Sequence, residues 1–115
     1  QQRLGRARAQ CDIAKATVLD SANELMGKLE QGERISAEDR VRYRMAMVEI
    51  VRICSELVYE LFCDAGTGVM MEGSELQRAF RDIHVLRSHF VILPEFAAVN
   101  AGRVQLDLDP TGPFV

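Results

Sequence analysis

At 115 residues, with 48% hydrophobic and 27% charged side chains, the chain has the length of one domain and the composition of a folded globule rather than a disordered segment. Its formal net charge of -3 gives no general pull toward nucleic acid, and no basic tail, zinc-ligand cluster or aromatic platform points there. No apolar run approaches the roughly 20 residues of a membrane span, so neither nucleic acid nor membrane is an expected partner and the cytoplasm is the expected compartment.

From Leu4 an apolar or small residue recurs at Ala7, Cys11, Ala14, Val18, Ala22, Leu25 and Leu29, the three-and-four spacing of one helical face. Gly32, just past the last of these, predicts a stop near residues 31–32. The chain opens at Gln1 inside this pattern and without a methionine, so it reads as part of a longer polypeptide.

A second helix starts at Ser36, which can cap free amides, with Glu38 and Asp39 suited to the positive end of the helix dipole and Ile35 placed to staple back onto the first turns. Two adjacent apolar lines follow: Val41, Met45, Val48, Val51, Ser55, Val58 and Phe62, and beside them Met47, Ile50, Cys54, Leu57 and Leu61. A band this wide implies burial against more than one neighbour. Carried to residue 63 or 64, the helix is about 40 Å long at about 1.5 Å per residue, against a diameter of about 35 Å for a compact globule of this size. It is therefore expected nearly to span the domain or to overhang it, and to pack onto another domain or subunit. The three cysteines, Cys11, Cys54 and Cys63, lie in or beside these apolar patterns with no CxxC spacing and are expected to be buried free thiols.

Residues 64–68, DAGTG, lack the GxxxxGK[ST] pattern of a phosphate loop and follow no strand, so they read as a turn leading into an apolar contact at Val69, Met70 and Met71. Ser74 then caps a third helix, with Gln77 in the place of the usual acid. The stretch 73–91, GSELQRAFRDIHVLRSHFV, carries an apolar stripe of Leu76, Phe80, Ile83 and Leu86. Its other side holds a basic row of Gln77, Arg78, Arg81 and His84, residues that equally suit a solvated face. His89 comes five residues after His84. Pro94 predicts a break across residues 87–94, followed by a final helix bearing Phe96, Val99, Ala101, Val104 and Leu106 toward residue 107. Asn100 and Gly102 weaken that helix, and the last stretch, DLDPTGP, reads as an irregular tail. The sum is an all-α four-helix bundle with two long antiparallel helices and two shorter ones.

The stretch 66–89, GTGVMMEGSELQRAFRDIHVLRSH, resembles the carboxy-terminal helical domain of the acyl-CoA dehydrogenase superfamily in its type-2 branch, which includes the oxygenase components of two-component, reduced-flavin-dependent monooxygenases. The likeness rests on Leu76, Gln77 and Arg78, on Arg81 and Asp82, on His89 eight positions after Arg81, and on the order and length of the two long helices. It implies that residues 1–115 are the carboxy-terminal bundle of a three-domain chain. It also implies a homotetramer built around such bundles, flavin (FMN or FAD) held between domains and partly by a neighbouring subunit, and a separate flavin reductase that supplies the flavin reduced.

The implied activity is hydroxylation of a small aromatic or polycyclic substrate, with the isolated bundle inactive. His89 is then the catalytic residue, beside the flavin ring, where it supports oxygen activation and substrate deprotonation, while Leu86 and Phe90 help keep the pocket dry. Arg81 binds the cofactor or, with Asp82, ties the helix in place, and Arg78 and His84 are further cofactor-binding candidates. Two alternatives stand beside this reading. Residues 71–78, MEGSELQR, are similar to the YEGTNEIQR-like segment of the dehydrogenases but have one residue fewer between the glutamate and the arginine, so Glu72 keeps open an FAD enzyme that oxidises an acyl thioester. The other is a structural tetramerisation bundle with no activity of its own.

Overall fold

The computed structural model describes residues 1–71 and 73–112. Ser36 sets the start of the element on which the others pack. Its hydroxyl accepts from the Asp39 amide at 3.0 Å while the Asp39 carboxylate accepts from the Ser36 amide at 3.3 Å, a reciprocal capping box that opens α2, Ala37–Asp64. The preceding helix, α1, Gln2–Glu30, ends as its glycine predicts. Gly32 takes φ 74°, and the amides of Gly32 and Glu33 reach back to the carbonyls of Leu29 and Lys28 at 3.0 and 2.9 Å, closing a Schellman motif. The two long helices thus form an antiparallel hairpin. Its base is pinned by Lys28 on Asp39 at 2.6 Å and Arg42 on Glu24 at 2.5 Å, and its far end by Arg3 on Asp64.

Two short helices, α3, Glu75–Arg87, and α4, Pro94–Gln105, lie against α2, and 3₁₀ turns at Thr67–Met70 and Phe90–Ile92 connect them. Among the described residues there is no strand, and the architecture is the expected four-helix bundle. Its core is built on α2: Val41, Val48, Val51, Leu57 and the hydroxyl of Ser55 are buried, met by Ala7 and Ala14 of α1 and by Ala97 and Asn100 of α4. Alanines at the α1–α2 seam let the two backbones approach closely.

The assembly is long rather than round, 50 × 27 × 25 Å with a radius of gyration of 17.0 Å, whereas a compact domain of this length has about 13 Å. The elongation agrees with the expectation that α2 spans or overhangs the domain. The apolar stripe of α1, however, only partly faces α2: Ala7 and Ala14 are buried and Leu25 is half-buried, while its other members are exposed. At about 100° per residue, buried Ala7 and Ala14 and half-buried Gln10, Thr17, Ser21 and Lys28 form the line on α2. Leu4, Val18, Ala22 and Leu29 lie roughly a quarter turn away and are exposed.

The cysteines differ from the expectation for the same reason. Cys11 and Cys63 are exposed and Cys54 is half-buried, because they flank the seams rather than fill them. Burial still pushes the Cys54 thiol above its ordinary value. Val69 is half-buried but Met70 and Met71 are exposed, so the apolar contact expected at that turn is reduced to one side chain. The fourth helix stops at Gln105, short of residue 107. There Asp107 enters the left-handed region at φ 55° and the Leu108 amide bonds back to Arg103 at 2.9 Å. Glu72, the acid of the dehydrogenase alternative, lies outside the described residues.

Candidate functional site

The site candidates are carried by α3 and the turn that follows it. Ser74 caps α3 as expected, its hydroxyl accepting from the Gln77 amide at 3.3 Å. The helix seats on α2 through Phe80, whose ring stacks on Phe62 at 4.4 Å between centroids. At its carboxy-terminal end Arg87 donates to the Ser55 hydroxyl at 3.2 Å, and Ser55, 1% exposed, donates in turn to the Arg52 carbonyl at 2.8 Å. These contacts fix where α3 stops, and therefore where His89 begins.

Ser88 caps the end of α3, so His89 stands in the connecting loop rather than on the helix that bears Arg78, Arg81 and His84. It heads the second 3₁₀ turn and accepts the Val91 amide on its Nδ1 at 3.3 Å. A ring nitrogen that accepts carries no proton, so in the neutral imidazole the hydrogen sits on Nε2. The residue is exposed, which leaves that N–H to donate outward. Phe90 stacks against the imidazole at 4.8 Å, and Arg44 of α2 holds the turn by donating to the Val91 carbonyl at 3.0 Å.

His84 has the opposite arrangement. Its Nδ1 lies 2.7 Å from the Phe80 carbonyl, which can only accept, so Nδ1 carries the proton and Nε2 keeps the lone pair. Half-buried, with its ring 4.2 Å from that of Phe80, it turns inward instead of joining the arginines. The basic row read from the sequence is therefore divided. Arg78 and Asp82, both exposed, form an ion pair at 3.5 Å, because residues four apart share a helical face. Arg81 and Asp82, adjacent in sequence, diverge and do not pair with each other. Arg81 is exposed and has no hydrogen-bond or ion-pair partner among the described residues. Leu86 and Phe90, expected to keep a pocket dry, are 45% and 51% exposed here. They could exclude water only with a further surface laid against them.

Three residues outside the sequence-level set shape this end of the bundle. Arg44 and Arg87 anchor the loop from opposite sides. Asn100, 5% exposed on α4, donates from Nδ2 to the Thr111 carbonyl at 2.9 Å and accepts the Thr111 amide on Oδ1 at 2.8 Å. Its signal in the sequence was its place three residues after Ala97 and four before Val104, on one helical line. Beside it a cavity of about 100 Å³ lies between Phe90, Leu93, Phe96, Thr111 and Gly112. Among the described residues no group of three or more His, Cys, Asp and Glu side chains could hold a metal ion, and no helix is long and apolar enough to cross a membrane.

Comparison with known proteins gives a consistent set of similarities. The family described as acyl-CoA dehydrogenase, C-terminal domain, matches residues 1–94. The chain is 28% identical over its full length to a pigment production hydroxylase of Rhodococcus sp., covering 29% of that protein. It is also 28% identical, over 98% of its length, to the flavin-dependent monooxygenase oxygenase subunit HsaA of Rhodococcus jostii, covering 30% of that protein. The backbone matches the crystal structure of the HsaA monooxygenase from M. tuberculosis with a TM-score of 0.89 at 26% identity, over 98% of this chain and 30% of that one. The chain spans less than a third of the length of these relatives.

Proposed function

The chain belongs to the acyl-CoA dehydrogenase C-terminal domain family, and from that premise we propose that it is the carboxy-terminal bundle of a flavin-dependent monooxygenase that hydroxylates a small aromatic or polycyclic substrate in the cytoplasm. The observation that carries this reading is His89, an exposed imidazole whose Nδ1 is engaged by its own loop so that Nε2–H is left to donate. The likeness to a hydroxylase and to a monooxygenase oxygenase subunit supports it.

The residues present fit one side of a flavin: a ring N–H donor, an exposed guanidinium on α3, and the apolar rings of Phe90 and Phe96. Reduced FMN or FAD, when bound, supplies the electrons that activate dioxygen. His89 Nε2–H would be placed to donate a hydrogen bond to an oxygen atom bearing negative charge. Arg81 can grip a phosphate through two parallel hydrogen bonds, with the positive charge of Arg78 one turn earlier on the same helix. His84, turned inward against Phe80, offers only the lone pair on Nε2, so any contact it makes with the cofactor is as an acceptor. A separate reductase supplies the flavin reduced. The protein assembles as a homotetramer through its bundles, and the exposed apolar stripe of α1 supports that assembly. The bundle alone holds one side of the site and is inactive by itself.

Full-length protein mixed anaerobically with reduced flavin and then with oxygen tests the reading. The absorbance of oxidised flavin should return more slowly than for free flavin, and substrate should shorten the delay. Bleaching of bound FAD by an acyl-CoA in the absence of oxygen would overturn the proposal in favour of a dehydrogenase.

A further inference from the structure

The tail beyond α4 is not a loose end. Asp107 reverses the chain at φ 55°. The segment then runs back along the helix that precedes it, held first by Arg103 Nε on the Asp109 carbonyl at 2.7 Å and one turn earlier by both ends of the Asn100 amide on Thr111. Asn100 is a buried polar side chain in a helix whose other buried residue is Ala97. A carboxamide there is disfavoured on helix propensity and on burial unless it is fully paired. Here the pairing is complete, and both partners come from one residue of the tail. The consequence is positional: Thr111 and Gly112 line the same cavity as Phe90, the ring stacked on His89.

We propose that Asn100 is a positioning residue that straps residues 106–112 across α4 as one wall of an aromatic-lined subsite, which receives the edge of the substrate ring one side chain away from His89. This rests on the monooxygenase reading above and deepens it. The cavity has about 100 Å³ and is lined by Phe90, Leu93 and Phe96, by Thr111 and Gly112 of the tail, and by Arg44 and Asn100. An enclosed apolar cavity of about 150 Å³ accommodates benzene, so this space takes part of a ring rather than a fused system. Removing the strap removes a wall without removing any group that touches the reacting atoms.

The test uses full-length protein without flavin, titrated with 4-fluorophenol and read by fluorine NMR, together with hydrogen exchange of residues 106–112. Wild-type protein should bind the probe saturably. Asn100→Ala should speed exchange in the strap and weaken binding roughly fivefold, the worth of one net hydrogen bond lost from the bound arrangement. Thr111→Pro removes the amide that donates to Asn100 while leaving α4 intact. It should weaken binding to a similar degree with the helical circular dichroism unchanged, which separates positioning from loss of the helix that carries Asn100. Faster exchange in both variants with unchanged affinity would reduce Asn100 to a structural clip and overturn the proposal, as would wild-type protein that does not bind the probe. Neither measurement involves flavin or oxygen, so the subsite can fail while the monooxygenase reading stands, and failure of that reading shows instead in the reaction of reduced flavin with oxygen.

Discussion

Two histidines five positions apart have hydrogen bonds that give them opposite chemistry. The Nδ1 of His89 accepts from an amide and that of His84 donates to a carbonyl, so only His89 presents an Nε2–H in its neutral form. In full-length protein supplied with reduced flavin, His89→Asn should therefore raise the hydrogen peroxide released per flavin oxidised. Unchanged coupling in that variant would remove His89 from the reaction. His84→Ala should instead lower stability by about 1 kcal/mol, through the lost hydrogen bond and ring contact, as read by chemical denaturation, with less effect on coupling. The position of His89 past the end of α3 was legible from Pro94 and the broken periodicity. Which nitrogen is protonated was not, because that depends on the amide of Val91 and the carbonyl of Phe80 in space. Arg44, Arg87 and Asn100 escaped for a related reason: their partners are up to 47 residues distant, and periodicity reports a face without reporting what meets it.

At the scale of elements, the features read correctly are those decided within a few residues. Ser36, Gly32, Ser74 and Pro94 each act on their own turn of backbone, so the starts of α2, α3 and α4 and the stop of α1 could be taken from the text. The Ser36 cap should be worth about 1 kcal/mol, the loss expected in Ser36→Ala. Its partner makes the same junction sensitive to acid. Hydrogen bonds from Lys28 and then from the Ser36 hydroxyl hold the Asp39 carboxyl down from 3.8 to about 2. A carboxyl whose value is lower folded than unfolded contributes stability that is complete above the unfolded value and fades as pH falls through the folded one. That contribution should therefore be intact at pH ~4 and above and be lost on the way down to about 2. Asp39→Asn should flatten the stability profile across that window in a denaturant titration repeated at each pH. A profile as steep as that of the wild type would place the acid sensitivity elsewhere.

The whole molecule explains why the α1 stripe was legible as a stripe but not as an outward-facing one. Hydrophobic spacing shows that a face is to be covered, and it says nothing about whether the cover belongs to the same bundle. Here α2 takes α3 and α4 on its broad band and meets α1 along a narrow line in which only Ala7 and Ala14 are buried, so much of the apolar face of α1 is left in water in a body 50 Å long. Leu4 is 69% exposed and Leu29 54% exposed, more than isolated surface leucines need explain. If this face is where bundles meet in the proposed tetramer, Val18→Glu combined with Leu29→Lys should lower the mass of the full-length protein by light scattering. The lysine suits the carboxy-terminal end of the helix dipole, and both side chains already lie in solvent within one subunit. The same pair should therefore leave the helical circular dichroism of the isolated bundle unchanged. A full-length protein that kept its mass would exclude this face from the contact. Loss of helix in the isolated bundle would instead mean that the stripe serves the fold of one subunit.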